Sequence, residues 1–140
     1  LSEDEKATSL FADLFGDANA EYRTSLDRYY EQGPPADWEQ RYISAYASSH
    51  PLEDWAETWS HYLLMHDALE TAHAHRLIDT PPLSSALVER ITQWQTVSVG
   101  LNEMNQSVGR EDAYPFVISA QVHNKLAYVD AMISRLRTLQ

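Results

Sequence analysis

Ser49-His50-Pro51-Leu52-Glu53-Asp54-Trp55-Ala56-Glu57-Thr58-Trp59-Ser60-His61-Tyr62 decides how this chain is read. Proline is favoured in the first turn of a helix, where its missing N–H has no partner to lose, so Pro51 marks a helix start. No Gly or Pro interrupts the sequence from there to about Arg76, which predicts one long central helix. Glu53, Glu57 and His61 stand four apart and therefore share one side of it. On a helical wheel Leu52, Trp55, Ala56, Trp59, Tyr62, Leu63 and His66 form a core stripe. Glu53, Asp54, Glu57 and His61 fall opposite, where Leu64 and Ala68 continue the face, so it is expected to be half exposed. Spacing alone leaves two readings of the acidic row, a solvated face or part of a metal site, and most charged faces are simply solvated.

The same periodicity extends in both directions from this helix, with no alternating strand pattern. Upstream, Ser2 with Glu5 forms a capping-box pattern, Leu10, Phe11, Leu14 and Phe15 follow at helical spacing, and Gly16 is a stop. Asp17 is a candidate cap for a second helix that runs to about Gln32 and ends at Gly33-Pro34-Pro35. Asp37 with Gln40 suggests a third start, with Trp38, Tyr42, Ala45 and Tyr46 as an aromatic stripe. Downstream, Thr80-Pro81-Pro82 is a turn. A fifth helix is predicted from about Ser84 to Ser107 with Leu87, Ile91, Trp94, Val97 and Leu101 inward. An ordered loop spans Gly109 to Ile118, and Ser119 caps a last helix with Val122, Leu126, Val129, Ile133 and Leu136 inward. The expectation is an all-α bundle of about six helices in a single helical domain, 1–140.

Composition narrows the partners. The 140 residues are long enough for a real core, and the formal net charge is -11. That charge would repel a nucleic-acid backbone and an anionic membrane surface, so neither is expected as a partner. No apolar run approaches the roughly 20 residues of a membrane helix. There is no basic, apolar leader pattern at the start, and the first residue is Leu1. The absence of cysteine excludes a disulfide framework, an iron–sulfur cluster and a zinc ribbon within the chain and gives no sign of an oxidising compartment; a cytoplasmic location is expected. Four glycines leave little room for a phosphate loop or a Gly-x-Ser-x-Gly elbow.

Tyr42-Ile43-Ser44-Ala45-Tyr46-Ala47-Ser48-Ser49-His50-Pro51-Leu52-Glu53-Asp54-Trp55-Ala56-Glu57-Thr58-Trp59-Ser60-His61-Tyr62-Leu63 resembles a bacterial family described as "putative zinc-binding metallopeptidases". Leu14-Phe15-Gly16-Asp17, Gly33-Pro34-Pro35-Ala36-Asp37-Trp38, Asp67-Ala68-Leu69-Glu70-Thr71-Ala72 and Leu101-Asn102-Glu103-Met104-Asn105-Gln106-Ser107 through Tyr114-Pro115-Phe116-Val117 are similar to its pattern as well, so the resemblance covers nearly the whole chain. In that family a His-Glu-x-x-His helix supplies two zinc ligands and a glutamate general base. The histidines here are His50, His61, His66, His73, His75 and His123, and none has that spacing. The resemblance therefore implies the C-terminal part of such an enzyme, with the catalytic helix upstream.

What the resemblance implies about individual residues follows from the downstream half of the site. Zincins of the glutamate-ligand class carry the third ligand on a helix reading Glu-x-x-x-Asp/Glu, which Glu53-Asp54-Trp55-Ala56-Glu57 fits. Glu53 is the implied zinc ligand, Asp54 is its rival, and Glu57 would orient a ligand histidine. Tyr114 is a candidate oxyanion donor, although a core tyrosine in a tight Tyr-Pro-Phe turn is the commoner reading. Asn102 and Asn105 cap a helix end or line a cleft, capping being the commoner role. Gln106 stands where the family pattern has a basic residue, which puts a substrate-carboxylate contact there in doubt. Glu70 and His73 form a Glu-x-x-His pair of the di-iron type, but such bundles need two pairs.

The expected function is that of a helical subdomain of a zinc metallopeptidase. It would supply the third ligand and part of the cleft for a peptide or protein substrate, with the upstream His-Glu-x-x-His segment as its partner. On this reading the chain alone is inactive, holds zinc weakly at best, and leaves its acidic face open. The alternative is an acidic all-α protein-interaction module without catalytic activity.

Overall fold

The computed structural model describes residues 2–140 and shows an all-α fold, with six α-helices and no strand among the described residues. They are α1 (Glu3–Phe15), α2 (Tyr22–Gln32), α3 (Trp38–Arg41), α4 (Pro51–Ala74), α5 (Leu87–Ser107) and α6 (Ala120–Thr138), with short 3₁₀ turns at Tyr46–Ser49 and Pro82–Ser84. The chain divides into two compact units. One comprises the chain up to His61 together with Val117–Gln140, and the other is Tyr62–Phe116. No helix among the described residues is long and apolar enough to cross a membrane.

In the first unit, local chemistry sets most boundaries. The Ser2 hydroxyl accepts the Glu5 N–H at 3.1 Å while the Glu5 carboxylate accepts the Ser2 N–H at 2.7 Å, a reciprocal cap on α1. Gly16 ends that helix at φ 98°, and a Cβ there would come within 3.3 Å of the Pro51 ring, so both backbone conformation and close approach require glycine. Ser119 caps α6 by accepting the Val122 N–H at 3.2 Å, and its hydroxyl donates to the Gln40 carbonyl at 2.8 Å, tying the helix start to α3.

Two expected boundaries differ. Asp17 does not cap α2. Its carboxylate accepts the Asn19 N–H at 2.8 Å in a local turn, and Glu21 caps the helix instead through the Thr24 N–H. The third helix is a single turn, because Tyr42 is extended (φ −130°, ψ 149°), and the later Tyr46–Ser49 turn stops at His50 (φ −162°, ψ 148°), which precedes a proline and so disfavours the helical region.

The core of this unit is aromatic and aliphatic. Phe11, Phe15, Trp55 and Tyr128 bring α1, α4 and α6 together with ring centroids 4.9–5.9 Å apart. Val122, Leu126 and Val129 are fully buried on α6, as their spacing predicts, whereas Leu136 beyond them is exposed. In the second unit, Met65, Leu69 and Ala72 of α4 are buried, as are Ile91 and Trp94 of α5. The Trp94 ring packs edge-on against Tyr114 at 4.8 Å, and Tyr114 against Phe116 at 5.1 Å.

The wheel of α4 requires correction. Its buried positions are Asp54, Thr58, His61, Tyr62, Met65, Leu69 and Ala72, while Leu52 and Leu63 are exposed. The inward stripe is thus rotated by about one residue, roughly 100°, from the one drawn through the two tryptophans. Trp55 and Trp59 flank it, half buried. The acidic face is therefore not simply open to solvent, since Asp54 and His61 are buried and Glu53 and Glu57 half buried.

Candidate metal-ligand site

The start of α4 is held by the residue before Pro51. The His50 Nδ1 accepts the Leu52 N–H at 3.0 Å, so its Nε2 carries the proton and donates to the Ala20 carbonyl at 2.8 Å. The His50 carbonyl accepts the N–H groups of both Glu53 and Asp54 at 2.9 Å. The imidazole thus caps the helix and binds it to the segment before α2, which fixes the direction in which the acidic residues leave the first turn. His50 was legible as a neighbour of the acids, but nothing in the sequence distinguished a capping histidine from any other.

The three acids of this helix have different surroundings. The Tyr22 hydroxyl donates to the Glu53 carboxylate, and that contact raises the Tyr22 phenol above its ordinary range. Burial, with the Glu53 charge and hydrogen bonding added, holds the Tyr46 phenol well above its ordinary range too. Glu53 is therefore a half-buried carboxylate between two neutral phenols. Glu57 accepts the Ser44 hydroxyl at 2.9 Å and lies 3.7 Å from the His61 Nε2 one turn on. Burial depresses the His61 imidazole, with Glu57 opposing the shift.

Asp54 belongs to a buried ion pair. Its Oδ2 accepts from the Lys125 ammonium at 2.6 Å, both side chains being almost wholly buried. Lys125 also donates to the Arg41 carbonyl at 2.7 Å and lies 4.5 Å from the centre of the Tyr42 ring. The other Asp54 oxygen, Oδ1, is buried without a hydrogen-bond partner. Sequence reasoning missed Lys125. The available signal was its position within the apolar stripe Val122, Leu126 and Val129 of α6, where a lysine needs a buried counter-charge.

Burial pushes the Asp54 carboxyl up to about 6, against the downward pull of Lys125. The unfolded value is about 3.9. Between about pH 4 and 6 the folded protein thus holds a proton that the unfolded chain has released, and this group's contribution to stability falls as pH rises through that window. Urea unfolding of wild type and Asp54→Asn at pH 4.5 and 6.5 checks the sign: the stability of wild type relative to the variant should be smaller at the higher pH.

Tyr114 lies in the second unit, 5% exposed, and burial raises its phenol well above the ordinary range. Asn102 holds its backbone from both sides, donating to the Tyr114 carbonyl at 2.8 Å and accepting its N–H at 2.9 Å. Asn105 donates to the Glu111 carbonyl at 3.1 Å and Gln106 to the Asp112 carboxylate at 2.6 Å. These residues tie the following loop to the side of α5 rather than cap its end. Asn102→Ala strands two backbone groups and is expected to cost about 1–3 kcal/mol, read as a lowered urea midpoint. Glu70 pairs with His66 at 3.2 Å, and His73 is half buried.

Among the described residues no group of three or more His, Asp or Glu side chains is placed to hold a metal ion. What the first unit offers is a single carboxylate, Glu53, in a mixed polar setting, with Glu57 a turn away.

The chain belongs to the family described as "putative zinc-binding metallo-peptidase", whose model matches residues 1–132. It is 42% identical over 135 residues to proteins of Mycobacterium bovis and Mycobacterium tuberculosis that carry only the name "uncharacterized protein". The match takes in 91% of this chain but spans only 40% of the length of each relative. No solved structure matches the chain.

Proposed function

We propose that this chain is the C-terminal helical part of a zinc metallopeptidase and that Glu53 supplies the carboxylate ligand of the metal. Family membership supports zinc-dependent peptide hydrolysis as the activity of the whole protein. The observation that favours Glu53 over Asp54 is their difference in commitment. The Asp54 carboxylate faces Lys125 in the interior, whereas Glu53 is half exposed and touches a neutral phenol. A carboxylate held by a hydroxyl donor keeps lone pairs for a cation and is fixed in orientation, as metal-ligating carboxylates are.

Zinc, when bound, supplies a Lewis acid that polarises the scissile carbonyl and makes water nucleophilic at neutral pH. The other ligands and the general base lie on a His-Glu-x-x-His segment outside these residues. Within this chain, Tyr22 fixes the Glu53 carboxylate, Ser44 and His61 hold Glu57, and the His50 cap sets the helix that carries both acids. Glu57 orients a ligand histidine from that segment. The substrate is a peptide or protein chain.

The 140-residue chain alone is expected to bind zinc weakly and to hydrolyse no peptide, because one carboxylate row does not make a closed tetrahedral site. Titration calorimetry with zinc chloride checks this, and tight one-to-one binding would contradict it. Were the whole protein to lack both zinc and a His-Glu-x-x-His segment, the acidic interaction-module reading would stand in its place.

A further inference from the structure

The first unit contains a cavity of about 450 Å³ that the zinc chemistry leaves unused. Its walls include Arg28 and Tyr29 of α2, Pro34 after it, Arg41 and Tyr42 at the end of α3, and Ser49 just before α4. The volume lies in the range of small-ligand pockets.

Its electrostatics run against the rest of the molecule. The chain carries 21 acidic residues and a net charge of -11, yet no Asp or Glu lines this cavity, and two arginines do. Arg41 is held in place: it contacts Asp37 at 3.5 Å, its Nη2 donates to the Tyr42 hydroxyl at 3.3 Å, and its guanidinium lies 5.1 Å from the centre of the Tyr42 ring. Arg28 has no hydrogen-bond or ion-pair partner among the described residues.

Two guanidinium groups are both donors, and the group they suit is a planar anion that accepts from each. Tyr29, Tyr42 and Pro34 add flat apolar surface for an adjoining ring or chain.

We propose that this cavity binds the carboxylate group of a ligand that also carries an apolar or aromatic portion, with Arg28 and Arg41 as the donors. The same chemistry is offered by a free small acid and by the C-terminus of a peptide. This site is independent of the metal reading, since it uses neither Glu53 nor zinc.

The test uses the 140-residue chain without metal and four probes followed by titration calorimetry: N-acetyltyrosine, its amide, an acetylated tetrapeptide ending in tyrosine with a free carboxylate, and inorganic phosphate. Saturable binding of at least one carboxylate probe is expected, with the amide at least about 10-fold weaker, the loss of one charge-assisted contact. Tighter binding of the tetrapeptide than of N-acetyltyrosine assigns the site to peptide ends, and equal or weaker binding assigns it to small acids. Arg28→Gln, on an exposed helix position, is expected to weaken the carboxylate probes about 10-fold while leaving the fold intact. No saturable binding of either carboxylate probe, equal binding of acid and amide, binding of phosphate alone, or affinity unchanged in Arg28→Gln would each overturn the proposal.

Discussion

Lys125→Met is expected to destabilise the protein by about 3–5 kcal/mol at pH 7, because it leaves the Asp54 carboxylate buried with no counter-charge. The carboxylate is fully buried at the first turn of α4, and one of its oxygens already lacks a partner. The change also strands the Arg41 carbonyl, which accepts from the same ammonium. Replacing both members, Asp54→Leu with Lys125→Met, is expected to recover most of that loss, since a buried ion pair is worth little more than well-packed apolar groups of similar size. Urea unfolding of the two single variants and the double variant measures the coupling directly. A single-variant cost below about 1 kcal/mol would mean that the pair is hydrated in solution.

The ion pair also shows where the sequence stopped being legible. Helix content, the Ser2 and Ser119 caps, the Gly16 and Gly33 stops and the Pro51 start could all be read, because each depends on backbone chemistry within a few residues. The inward stripe of α6 could be read through Val122, Leu126 and Val129 for the same reason. The face of α4 could not. Two tryptophans drew the wheel toward themselves, and a rule that charges lie outside put Asp54 in water. That rule fails where a charge meets its partner across 71 residues of sequence, and nothing local announces such a meeting.

The candidate site was legible to a similar depth. The row Glu53, Glu57, His61 and its resemblance to a zinc-ligand helix were visible in the sequence. The phenols of Tyr22 and Tyr46 beside Glu53, and the Ser44 hydroxyl on Glu57, were not, since they come from segments whose paths only tertiary packing sets. The Arg28, Arg41 and Ser49 cavity was missed for the same reason.

Glu53→Ala is expected to lower the zinc affinity of the whole protein by at least about 100-fold, because even residues that only orient a ligand are worth about 10–100-fold. On the proposed reading Tyr22→Phe removes such an orienting hydroxyl and should fall within that smaller range while leaving Glu53 itself in place. Peptide hydrolysis should follow zinc occupancy in both variants. Glu53 is half exposed and has no counter-ion among the described residues, so its removal should leave thermal stability of the zinc-free protein nearly unchanged, in contrast to Lys125→Met.

Zinc content of the whole protein, compared with that of its Glu53→Ala variant by atomic spectroscopy, tests the central claim most directly. About one zinc per wild-type chain and almost none in the folded variant is the result this account predicts. Equal zinc in the two proteins would contradict it and remove Glu53 from the ligand set.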